Sequence, residues 1–256
     1  HPIAYAMLCH SLHDNWEELE YITKKEHSLI IPEEHDDGRI IVMKYENFEE
    51  KTEHHIKLSF NKKFYVKTDI SNFFPSIYSH SIPWALVGFD TAKENRDQTE
   101  WFNQIDKYQR LINRDETNGI PIGPATSNII CESILARIDK KLKEYYKKLK
   151  KDIIFIRFID DYTAYLNTYE EAEDFIRRLS EELSKYKLLL NIKKTFIKQL
   201  PSPYSPEWLV DIATRIPDKD NINSANIIQF LDYALNKQVI SPDGSVLKYA
   251  AKSIIY

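Results

Sequence analysis

The chain has 256 residues, 43% of them hydrophobic and 29% charged, with a formal net charge of −4. That supplies core material for one large domain or two small ones and excludes a disordered or fibrous chain. No apolar run approaches the roughly 18 residues of a membrane span, and the start HPIAYAMLCH lacks the basic stretch and cleavage site of a signal peptide, so a cytoplasmic protein is expected.

Two cysteines, Cys9 and Cys131, are too few for a disulfide framework or a zinc site and read as packed thiols. The chain starts without Met and stops at KSIIY, as part of a longer protein would. Charge is unevenly spread. DKKLKEYYKKLKKD (139–152) holds seven lysines and KYKLLLNIKKTFIK (185–198) five more, while acids gather near 33–37 and 170–182. The first cluster reads either as a solvated helix face with i,i+4 pairs or as a phosphate-contacting face.

In chain order, HSLIIPEEHDDGRIIVMKY (27–45) predicts a β-hairpin turning on Asp37-Gly38, because β-branched arms flank a favoured turn pair. KKFYVKTDISNFF (62–74) is a strand running into a turn, HSIPWALVG (80–88) starts a helix, and 89–118 is helical with loops. A Gly/Pro loop then enters a long amphipathic helix whose apolar positions Ile130, Ile134, Ile138 and Leu142 recur every four residues. IIFIRFIDDYTAYL (153–166) reads as strand, acidic turn and strand. A helix over about 169–187 and the strand KLLLNIKKTFIKQL follow. From about residue 222, NSANIIQFLDYALNK is helical again.

The order from 63 to 200 is strand, helix, strand, strand, helix, strand. This is the split βαβ pattern of an α+β, ferredoxin-like sheet, in which the first and third strands lie side by side. On its own, the Asp160-Asp161 pair also reads as a solvated turn, since Asp favours turns. The topology adds a reason for it. Asp69, ending the first strand, would meet Asp160 and Asp161 at the turn, and converging carboxylates are the hard oxygen ligands of magnesium.

KTDISNFFPSIYSHSIPWAL, GIPIGPATSNII, FIRFIDDYTAY and LLLNIKKTF resemble four successive motifs of reverse transcriptases, in the family's order. With the 27–45 hairpin the resemblance covers about residues 27 to 200. PSIYSHSIPWAL and IPIGPATSNII look most like the abortive-infection and other defence-associated bacterial branch, with retron and group II intron enzymes further away. The resemblance implies a right-hand polymerase. Residues 1–62 and 83–122 would be fingers, 63–82 and 123–200 the palm, and 201–256 the start of a helical region in place of a thumb.

Carried over residue by residue, Asp69, the carbonyl of Ile70 and Asp160 would hold two Mg²⁺ ions, or Mn²⁺ in their place, with Asp161 as a weaker ligand. Lys194 would be the general acid toward pyrophosphate. Among nucleotide-site residues, Phe74 would lie under the sugar and exclude a 2′-hydroxyl, with Phe73 beside it pointing into the core. Arg39 would reach the triphosphate from the fingers, and Pro121 and Gly123 lie in the loop where nucleotide approaches backbone, as does Gly119. Ile122 stands where most templated relatives have Gln or Thr, and where lysines often accompany the fingers arginine in relatives, Glu33 and Glu34 here stand on the arm opposite Arg39.

The implied substrates are deoxynucleoside triphosphates, and the implied product is DNA, free or joined to protein. An RNA template is either read or dispensed with, and the working form is a monomer or a homo-oligomer. After Lys194 the sequence runs into KQLPSPYSPEW instead of a Gly-containing primer-gripping hairpin. The leading expectation is an antiphage, protein-primed DNA polymerase. An RNA-templated enzyme of retron or intron type, or a non-catalytic polymerase-like scaffold, are the alternatives. Ser81 and Thr126 read as helix caps, and Ser79-His80 shows no third partner of a hydrolase.

Overall fold

The computed structural model describes residues 1–24, 26–30, 32–33, 42–43, 48–203, 205–218, 223–242 and 244–255. Two units divide the chain, His1–Pro201 and Ser202–Tyr256. The first opens with α1 (Pro2–Asp14), whose proline sits in the first turn, where its missing amide is not needed. Helix α2 (Trp16–Leu19) and a 3₁₀ turn over Glu20–Thr23 follow. Strands β1 (Pro32–Glu33) and β2 (Val42–Met43) pair antiparallel, as the predicted hairpin requires. Its Asp37-Gly38 turn, Glu34 and Arg39 lie outside the described residues.

Helix α3 (Phe48–Ser59) leads to β3 (Phe64–Asp69). The short helices α4 (Phe73–Ser76), α5 (Ser81–Val87) and α6 (Phe89–Glu94) then precede α7 (Trp101–Ile112) and the 24-residue α8 (Ala125–Lys148). Hairpin β4 (Ile154–Phe158) and β5 (Asp161–Leu166), helix α9 (Tyr169–Lys185) and β6 (Phe196–Gln199) complete the unit. Thr168 caps α9 by accepting from the Glu171 amide, and the Glu171 carboxylate accepts from Asn167 in return, a local signal that starts the helix after β5.

The four strands form one antiparallel sheet in the order β4-β5-β3-β6, so the first and third strands of the split motif are neighbours at its centre. Register decides which side chains share a face. Val66 faces Ala164 and Ile197 across the strands, and Val66 and Ala164 belong to the core with Ile134, Ile138 and Leu142 of α8 and Phe175, Leu179 and Leu183 of α9. The predicted stripe Ile130, Ile134, Ile138 and Leu142 is buried throughout. Tyr65, Lys67 and Asp69 alternate to the opposite face, opposite Tyr165, Thr163 and Asp161. There α3 covers one end, where His55 bonds the Tyr165 hydroxyl at 2.9 Å.

Two expectations are corrected. The strand predicted for KLLLNIKKTFIKQL is interrupted. Leu190 makes one antiparallel bridge to Ile70, a 3₁₀ turn spans Ile192–Lys194, and only Phe196–Gln199 continues as β6. Ser81 and Thr126 are not caps. His80 and Pro124 occupy the cap positions of α5 and α8, and neither helix has a side-chain cap bond. Of the two cysteines, Cys131 is buried and Cys9 half-buried, both reduced.

The described residues of the second unit form three helices, α10 (Glu207–Ala213), α11 (Ser224–Ile240) and α12 (Val246–Ile255), joined by turns and loops, and no strand. Ile212, Phe230, Ala234, Val246 and Ala250 form its core, and Asn223 caps α11 by accepting from the Asn226 amide at 2.9 Å. No helix of the described residues is long and apolar enough to cross a membrane.

Candidate active site

Asp69 is the last residue of β3 and stands directly opposite Asp161, the first residue of β5, so the register alone puts two carboxylates on one face of the sheet. Asp160 occupies the tight turn before it. That turn is built on Ile159 at φ 56°, a left-handed conformation that a β-branched residue rarely adopts. Asp69 is only 5% exposed. Burial, followed by the charges of Asp69 and Asp161, raises the Asp160 carboxyl to about 6. The charges of Asp69 and Asp161 thus bear on the half-buried Asp160.

The interrupted strand supplies part of the compensation. Asn191 donates its amide to the Asp69 carbonyl at 2.7 Å and Ser71 donates to Leu189, and Thr195 is held by Thr68 at 2.7 Å and by the Asn191 carbonyl. The 3₁₀ turn between these anchors returns Lys194 over the site, with Nζ 2.6 Å from Asp69 Oδ2. That hydrogen bond raises the Lys194 ammonium above its ordinary range and keeps it charged. The bridge between Ile70 and Leu190 works through the Asp69 carbonyl and the Ser71 amide, so it does not engage the Ile70 carbonyl.

This donor set fits a hard divalent cation. Carboxylates and a backbone carbonyl are the oxygen ligands such ions prefer, and the raised Asp160 marks anionic charge that a cation would relieve. Among the described residues the acids are not closed into a ready-made cage. Instead the Lys194 ammonium rests on Asp69.

One buried group at the site was not read from the sequence. Arg157, fully buried on β4, donates to both oxygens of Glu132 at 2.8 and 2.9 Å, to Asp139 at 2.9 Å, and to the Ile159 carbonyl at 2.9 Å. Tyr162 donates its hydroxyl to the other Asp139 oxygen at 2.7 Å. Burial opposes the guanidinium charge, and Asp139 and Glu132 more than restore it. The bond to Ile159 ties this network to the strained turn that carries Asp160. A signal was present. Glu132 and Asp139 are acids seven apart on the otherwise apolar face of α8, where a buried charge demands a partner.

After β3, Phe73 is 3% exposed and lies in the core, while Phe74 is half-buried and packs edge-on against it with centroids 5.5 Å apart. Phe73 therefore backs Phe74 and offers no free face to a nucleotide. The Gly/Pro loop is bound to this segment, since Gly119 donates to Ile77 at 2.8 Å and Ile120 to Phe74 at 3.0 Å. Pro121 and Gly123 lie on its accessible side, before α8, and Ile122 is 73% exposed. Arg39 falls outside the described residues. The third partner missing from Ser79-His80 is present for the histidine alone. His80 bonds Asp106, but Ser79 is buried and its hydroxyl has no partner among the described residues, so no hydrolase triad forms.

Residues 18–232 match the family model described as reverse transcriptase (RNA-dependent DNA polymerase). The chain belongs to the reverse transcriptase family. Within the family it is similar to the retron Ec73 reverse transcriptase of Escherichia coli, 28% identical over 142 residues that cover 52% of this chain and 42% of the relative. It is also similar to the telomerase reverse transcriptase of Mus musculus, 24% identical over 82 residues, 32% of this chain and 7% of that one. Among solved structures it resembles an apo telomerase from Candida tropicalis truncated from its C-terminal domain, with a TM-score of 0.51 and 12% identity over 78% of this chain and 42% of that one. The chain thus spans less than half the length of these relatives, and the structural likeness concerns the fold.

Proposed function

We propose that the chain catalyses metal-dependent transfer of deoxynucleotides to a hydroxyl group, with the acids at the end of β3 and at the β4-β5 turn as its centre. The observation that carries this reading is the in-register pair Asp69 and Asp161, with Asp160 beside it and Lys194 resting on Asp69. Asp69, the Ile70 carbonyl, Asp160 and Asp161 would hold two Mg²⁺ ions, or Mn²⁺ in their place. When bound, these would activate the attacking hydroxyl and stabilise the leaving pyrophosphate. Lys194 holds its proton on Nζ next to the site and delivers it to the departing pyrophosphate oxygen. Phe74, backed by Phe73, underlies the sugar and discriminates against a 2′-hydroxyl. Pro121 and Gly123 border the nucleotide, and Arg39 reaches its phosphates.

In this reading, residues 63–82 and 123–200 are the palm, 1–62 and 83–122 the fingers, and 201–256 a helical region in the place of a thumb. The biological role is antiphage defence by abortive infection, with DNA made without a template on a protein hydroxyl. This is supported by the region after β6, where no strand follows among the described residues and the chain turns helical. A second reading, RNA-templated synthesis, is favoured by the similarity to the retron enzyme. The three carboxylates argue against a non-catalytic scaffold.

The test is incubation of the protein with each labelled deoxynucleotide and Mg²⁺, with and without RNA. Label that stays with protein after boiling in detergent and is freed only by protease supports the first reading. Label found only in free nucleic acid, and only when RNA is added, supports the second.

A further inference from the structure

We propose that a cationic pocket between α5, α6 and α7 is a second phosphate-binding site, which takes a phosphate of a single-stranded nucleic acid. The cavity has a volume of about 320 Å³ and none of the three catalytic carboxylates lines it. It has room for one nucleotide unit of a strand and none for a duplex.

The charge of its wall is one-sided. Lys93, Arg96, Arg110 and His80 line it, against the single carboxylate of Asp106. Asp106 is 6% exposed and already engaged, accepting from His80 Nδ1 at 2.6 Å with Arg110 Nε 3.6 Å from its other oxygen. Asp106 and Asp115, the latter on Arg110 Nη1, hold the charge of Arg110 within the wall, and the positive charge left for the open space is that of Lys93 and Arg96. Because Nδ1 donates to Asp106, His80 is held with Nε2 available to a ligand.

The cations are also held in place. The Lys93 ammonium lies 5.3 Å from the ring centroids of both Trp84 and Phe89, and Arg96 Nε donates to the Lys93 carbonyl at 3.3 Å. That tether leaves the two terminal nitrogens of Arg96 to pair with phosphate oxygens. At the rim, Lys187 sits 3.6 Å from the Tyr78 ring centroid. A lysine held against aromatic rings and an arginine tethered beside it, in a pocket open to solvent, supply the cationic part of the combination that grips single strands.

A strand is favoured over a free nucleotide by continuity. Tyr78 bridges Asn118, and only α4 separates it in sequence from Asp69, so the pocket wall and the catalytic strand are parts of one segment.

The test measures binding of a labelled single-stranded oligonucleotide to the whole protein without Mg²⁺, at several salt concentrations. The comparison is wild type, the Lys93→Ala/Arg96→Ala double variant and Asp160→Asn. Both replaced side chains are exposed, and thermal melting confirms the fold. The double variant should bind at least tenfold more weakly, and its salt slope should fall by about 0.7 for each lost phosphate contact. Asp160→Asn, which removes a negative charge, should bind no more weakly than wild type, which separates this site from the proposed active site. Wild-type binding by the double variant would overturn the proposal. Displacement of the oligonucleotide by a mononucleotide or by inorganic phosphate at equal concentration would overturn the choice of a strand.

Discussion

At the residue scale, the group that most constrains the site is not one of its acids. Arg157 sits with Glu132 and Asp139 on the far face of the sheet and reaches the Ile159 carbonyl, so a buried ion network and the strained turn of Asp160 are one object. Arg157→Met leaves both acids buried without their partner and should lower unfolding stability by about 3–5 kcal/mol, read from urea unfolding. A change below about 1 kcal/mol contradicts the network's role. Arg157→Lys keeps the charge but cannot reproduce the fork on Glu132, and should fall between. Phe74 belongs to the same scale. Phe73 is fixed behind it in the core, and if Phe74 underlies the sugar as proposed, Phe74→Ala should admit ribonucleotides at least tenfold more readily relative to deoxynucleotides. Unchanged discrimination moves the gate to another residue.

At the scale of elements, the Gly/Pro loop is held where glycine alone is comfortable. Gly119 has φ +86°, and a Cβ there would stand 3.3 Å from the Pro75 carbonyl oxygen. Gly119→Ala should destabilise the first unit by about 1–2 kcal/mol in thermal or urea unfolding. The segment before β1 makes a different prediction. Leu29 and His27 exchange backbone bonds with Arg157 on the edge of β4, and His27 stacks on Phe155 at 4.0 Å while Nδ1 donates to the Phe155 carbonyl. Burial lowers the His27 pKa, and its Nε2 is buried with no partner among the described residues. A depressed folded value means that the unfolded chain takes the proton first. The stability this contact lends is therefore complete above the unfolded histidine value of about 6.5 and is lost as pH falls below it. Between pH 7 and 5 the wild type should lose more stability than His27→Phe does, and equal losses contradict the assignment.

The same elements show what the sequence carries and what it omits. Strands β3, β4 and β5 and helices α8 and α9 were legible because local signals agree with the fold there: alternating exposure along β4, the four-residue stripe of α8, and Thr168 with Glu171 before α9. The opposition of Asp69 and Asp161 followed from topology. The return of Lys194 did not, because LLLNIKKTFIK has the composition of one strand and only the bonds of Asn191 and Thr195 reveal the 3₁₀ turn. The partner of His80 was hidden for a simpler reason: Asp106 lies 26 residues away on α7. Helix α1 carries no acid in its first turn and a weak apolar face, and was not anticipated.

At the scale of the molecule, each unit has its own core, one built on the four-stranded sheet and the other on Ile212, Phe230 and Val246. Limited proteolysis should therefore cut first in the Pro-rich stretch 201–206 and leave the first unit intact; early cuts within α8 or β3 would contradict this division. The acids at the head of the sheet carry the proposed chemistry, and one substitution separates chemistry from folding. Asp160→Asn removes one of three mutually repelling carboxylates, so the metal-free protein should melt no lower than wild type. Incorporation of labelled deoxynucleotides with Mg²⁺, measured on the same preparation, should fall at least about a hundredfold. Near-normal incorporation by this correctly folded variant would contradict the account.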